Sequence, residues 1–158
     1  MKLNFTEKKQ TFFMTALFLL LMMITMGYID YYQIQATYIT QEWELYNKFI
    51  APAFQTSWYL LIITGCGIYF EFTKDVKETL ALVLSSFLLL QFGFEDLIFF
   101  IWYQGEMAQC MDWMHITKKI GAYAINGGCV TIPTLAFNIV LLSPIIGALY
   151  FWSHNGKK

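Results

Sequence analysis

The chain is expected to be all-α and polytopic: a four-transmembrane-helix bundle, one integral membrane domain over 1–158, with a short interfacial helix in each of two outer loops. Three observations lead there. The 158 residues are 58% hydrophobic and only 13% charged, with a mean hydropathy of +0.50, outside the range of ordinary soluble domains. Four apolar stretches, about 11–29, 52–72, 79–103 and 133–152, are each long enough to cross a hydrocarbon core of about 30 Å. Lysines are distributed unevenly between the segments that join them, with seven at the two ends and in the 73–78 turn and three in the two longer loops. That bias predicts both termini in the cytoplasm and the loops at about 30–51 and 104–132 outside.

The first apolar stretch follows Lys2, Lys8 and Lys9. It is long and has no small-residue cleavage site after it, so it is expected to be a retained helix rather than a signal peptide. In the first outer loop, Thr40 is a candidate cap for a short helix over 41–50 that presents Trp43, Tyr46 and Ile50 on one face. Pro52 should end that helix and sit in the first turn of the second span, where a missing N–H costs nothing. Gly65-Cys66-Gly67 in the second span suits close helix approach. The third span carries Glu95-Asp96. In the second outer loop, Asp112, His115 and Lys119 share one side of a helical wheel, and Trp113, Ile116 and Ile120 share the other. The fourth span contains Pro144, which should kink it.

Adjacent carboxylates in an apolar span are the strongest functional signal, because each costs about 2.5–3.5 kcal/mol at a helix centre on insertion scales. Side chains one residue apart point about 100° apart, so Glu95 and Asp96 head two polar stripes. Gln91 and Trp102 lie near Glu95, whereas Ser85 and Tyr103 lie near Asp96. No lysine falls within an apolar span. An internal salt bridge is therefore not expected, and a shared proton, a bound cation or a cationic substrate must balance the charge.

These features support a small membrane protein with an acidic outer-leaflet pocket that acts on a lipid-like substrate. Glu95, Asp96 and His115 are the candidate catalytic acid/base residues, and Gln91, Trp102 and Tyr103 the candidate substrate contacts. Two readings from other classes stand beside it. One is a non-catalytic subunit packing within a larger membrane complex, in which a protonated acid only hydrogen-bonds between helices. The other is a proton-coupled cation carrier working as a dimer. Glu95, Asp96, Asp112 and His115 also make a candidate metal set, though not at a known spacing.

Other classes are excluded by composition. All ten basic residues are lysines and the net charge is −1, which leaves no footprint for nucleic acid and no arginine clamp for phosphate. His115 and His154 lie outside the expected spans, so no haem is expected within this chain. Ser57, Ser85 and Ser86 lack a nucleophile context. The aromatic residues Tyr28, Tyr31, Tyr32, Trp58, Trp102 and Tyr103 fall near predicted outer ends, where a belt at the headgroup level is the ordinary expectation. If the outer side is oxidising, Cys110 and Cys129 can close a loop of about twenty residues, worth about 3 kcal/mol in the chain-entropy view.

Overall fold

The computed structural model describes residues 5–102, 110, 111, 114 and 116–155, with only the backbone described at 5, 116 and 117. All regular structure among them is helical: α1 (Phe5–Thr40), α2 (Trp43–Leu45) and a π-helical turn (Tyr46–Ile50) leading into α3 (Ala51–Thr73), then α4 (Val76–Gln91) and α5 (Phe94–Trp102). A 3-10 turn (Ile116–Lys119) then enters α6 (Ile120–Asn126), and α7 (Ile132–His154) completes the chain. Three helical segments are long and apolar enough to cross a membrane, and α4 with α5 makes a fourth if that bent pair counts as one span. Phe18, Leu60, Ile63, Val140 and Ile145 are exposed on α1, α3 and α7. Large apolar side chains turned outward on several helices suit lipid, not water.

The core explains the pairing of helices. On α1, Phe12, Leu19 and Met23 recur at helical spacing and meet Trp58, Ile62, Cys66 and Tyr69 of α3 and Leu82 of α4. A Cβ at Gly65 would lie 3.0 Å from Leu19 Cδ2, so this glycine permits the close α1–α3 approach that its small size suggested. The chain turns from α3 to α4 through Lys74 at φ 51°, and the Asp75 side chain caps α4 by accepting from the Glu78 N–H at 3.1 Å.

Several sequence expectations are corrected. The first helix does not stop near residue 29; it continues to Thr40, which ends α1 instead of capping a new helix. The next helix restarts at Trp43 after Gln41, at φ 60°, with no side-chain cap at Glu42. Pro52 does not end that segment, which runs on into α3. Its ring crowds the carbonyl four residues back, and the π-helical turn that includes Lys48 lies at that point.

The third span is not one helix over 79–103. It bends by 52° between α4 and α5. Gly93 explains the break: its φ is +91°, a backbone conformation that side-chain-bearing residues rarely adopt, and an added Cβ would also come within 2.7 Å of Leu135 Cδ2. Glu95 and Asp96 consequently occupy the first turn of a new helix, where the exposed N–H ends favour negative charge. In the second loop the described helical segment is 116–126, later than the expected amphipathic helix, and Asp112, Trp113 and His115 lie outside the described residues. Pro144 lies within α7, which runs through it. Cys110 and Cys129 are joined by a disulfide, and Met111, Ala122, Val130 and Leu135 form a small core beside it.

Candidate functional site

Gly27 is where the site begins. A Cβ there would lie 3.0 Å from Ile98 Cγ2 and 3.2 Å from the Glu95 carbonyl oxygen, tighter than ordinary van der Waals contact, so a glycine suits this close approach of α5 to α1. One turn further along α1, Asp30 reaches the same place, and its carboxyl lies against that of Glu95 in one cavity. Two carboxyl groups brought together in this way can be joined by a hydrogen bond when one of them holds a proton. Tyr46, from the π-helical turn, donates its hydroxyl to Asp30 Oδ1 at 3.2 Å.

Asp96 points elsewhere, as its 100° offset from Glu95 requires. Its Oδ2 meets Lys118 Nζ at 2.5 Å, with side-chain exposures of 17% and 21%, so this ion pair is largely withdrawn from water. The expectation that no lysine would neutralise these acids is therefore corrected. Lys118 lies outside every apolar span, but the 3-10 turn that carries it packs against α7, and this brings it to Asp96.

The delivery has an identifiable cause. Asn138 of α7 is fully buried; its side-chain amide donates to the Lys118 carbonyl at 2.8 Å, and its Oδ1 accepts from the Gly121 N–H at 2.7 Å. The same amide reaches the Phe92 carbonyl at 3.5 Å, at the break between α4 and α5. One side chain thus ties the returning loop to the turn that begins α5.

Around these groups lies a cavity of about 750 Å³ lined by Asp30, Tyr46, Gln91, Glu95, Asp96 and Lys118, with Trp43, Trp58 and Tyr59 among its aromatic walls. Gln91 Nε2 bonds the Tyr59 hydroxyl at 3.2 Å, as a cavity-wall residue. Of the residues singled out from the sequence, Glu95, Asp96 and Gln91 come together here. Trp102 does not line the cavity but packs against Tyr28 on the outside, with ring centroids 5.3 Å apart. Trp58, expected among the interfacial aromatics, is buried. Ser85 lines a different cavity, between α1, α4 and α7. Tyr103, Asp112 and His115 lie outside the described residues, and among those described no group of three or more His, Cys, Asp or Glu side chains is arranged to hold a metal.

Asp30 and Lys118 were missed by reasoning from the sequence. For Asp30 a signal was present: Leu19, Met23, Gly27, Asp30, Ile34 and Thr37 follow each other at three- and four-residue steps, so the buried face of α1 runs past residue 29. For Lys118 no local pattern marks the return of the loop. The chain matches no protein-family model, no curated protein and no solved structure.

Proposed function

We propose that this is a four-span integral membrane protein whose outer cavity receives the polar head of a lipid-like substrate, with Glu95 as the acid or base and Asp30 as its proton partner. The carrying observation is the close approach of the Asp30 and Glu95 carboxyls inside a cavity where Lys118 already balances Asp96. A proton shared by two carboxyls can be given to a leaving oxygen or taken from an attacking one, which is acid/base chemistry. Asp96, engaged by Lys118, serves to hold that lysine in the cavity wall. The volume, about 750 Å³, lies within the range of small-molecule sites, and the aromatic walls suit an amphipathic ligand.

The test is chemical. Wild-type protein, Glu95→Gln and Asp30→Asn are reconstituted with an extract of cell-membrane lipids, and the lipids are followed by mass spectrometry. Wild type is expected to convert or retain one lipid class that both variants leave untouched, while all three keep the same melting temperature, since each amide preserves volume and polarity. Equal behaviour of wild type and Glu95→Gln would sink the reading. Proton release on adding an amphipathic cation, with no lipid changed, would replace it by the carrier.

The proposal includes cytoplasmic termini, from seven lysines against three. In intact cells, a cysteine at Glu44 should react with an impermeant maleimide and one at Lys158 should not. The reverse pattern would invert the orientation.

A further inference from the structure

The outer cavity of about 750 Å³ holds unequal numbers of acidic and basic groups. Its described lining residues include three carboxyl groups, Asp30, Glu95 and Asp96, and a single basic side chain, Lys118. Lys118 Nζ meets Asp96 Oδ2 at 2.5 Å and also acts electrostatically on Asp30 and Glu95, but one ammonium offsets only one carboxylate. The Asp30–Glu95 pair therefore sets the remaining charge. Tyr46 gives Asp30 Oδ1 a hydrogen bond at 3.2 Å and adds no charge. When the pair shares one proton, as in the acid/base reading above, it holds one negative charge. A charge withdrawn from water is costly until a group of opposite sign reaches it.

Three kinds of amphiphile head can be compared against this wall. A phosphate head brings negative charge to an already negative site, and the one lysine present is engaged by Asp96. The chain has no arginine to offer instead. A hydroxyl head can hydrogen-bond to the carboxyls but leaves their charge in place. An ammonium head offsets that charge. The cavity adds a second, independent preference for it, because the indole rings of Trp43 and Trp58 and the phenol ring of Tyr59 form part of the lining, and aromatic rings attract cations.

We propose that the outer cavity selects amphiphiles carrying a positively charged ammonium head over those with phosphate or hydroxyl heads. This names the substrate class of the site described above and rests on that reading for the shared proton. The phosphate-bearing lipids of a surrounding bilayer are rejected by the same charge that admits the cation, so the cavity discriminates by repulsion as well as by attraction.

The test compares three probes with one eight-carbon chain: octyltrimethylammonium, octanol and octyl phosphate. Each is titrated into the full chain in maltoside micelles, and binding is read from tryptophan fluorescence, since Trp43 and Trp58 line the cavity. The shared chain makes differences in Kd report the head. Octyltrimethylammonium should bind saturably and at least about tenfold more tightly than octanol, and octyl phosphate more weakly than either. In the double variant Asp30→Asn, Glu95→Gln the ammonium compound should fall to within about twofold of octanol, because the charge is gone. Octanol should bind the variant as it binds wild type, which shows that the cavity is intact. Absence of saturable ammonium binding in wild type, equal or tighter binding of octanol or octyl phosphate there, or an ammonium preference that survives in the double variant would each overturn the proposal. The outcome is separable from that of the lipid-extract assay. An ammonium preference with no lipid changed keeps this inference and removes the acid/base reading, whereas conversion of a lipid without a cationic head does the reverse.

Discussion

Replacing Asn138 by leucine is expected to destabilise the protein by about 2–6 kcal/mol and to free Lys118 from the cavity wall. The two side chains are close in volume, so packing is not the cause. Asn138 is fully buried and answers the Gly121 N–H at 2.7 Å and the Lys118 carbonyl at 2.8 Å. Leucine answers neither, and each buried backbone group left without a partner costs about 1–3 kcal/mol. The loss should be read by denaturant titration in mixed micelles, and the release of Lys118 by its faster reaction with an amine reagent. Unchanged stability together with unchanged lysine reactivity would show that the loop is held by something other than Asn138.

Lys118→Met should cost about 2–4 kcal/mol, and most of that cost should vanish when Asp96→Asn is added. Both side chains are about four-fifths buried, at 21% and 17% exposure, so the pair is not a surface contact worth a few tenths. Breaking a buried pair from one side strands the remaining charge, at about 3–5 kcal/mol when burial is complete; the residual exposure lowers that figure. A double-mutant cycle measures the coupling directly, and a value above about 1 kcal/mol is expected. Strict additivity of the two single losses would mean that Asp96 does not depend on Lys118.

A polar site at Glu95 was legible because an acid inside an apolar run is costly wherever the fold puts it. Its true partner was not. Adjacency turns Glu95 and Asp96 apart, and it is Asp30, on another helix, that reaches Glu95, where the small Gly27 suits the approach of α1 and α5. The turn at Gly93 could be suspected from the residue type; its angle, 52°, could not. His154 read from the sequence as a residue beyond the last span. In the fold it packs beside Glu78, 76 positions away, and no local pattern announces that meeting.

The helical class, the apolar helices of membrane-spanning length and the presence of buried acid were determined by the sequence alone, since each follows from composition and from periods of three to four residues. Which acid lies against Glu95, which lysine balances Asp96, and that Glu78 and His154 meet at all were decided by the tertiary structure. Those pairings join residues 65, 22 and 76 positions apart. Their energies arise when packing removes water from groups that the chain keeps far apart, and such terms leave no mark in any local window of sequence.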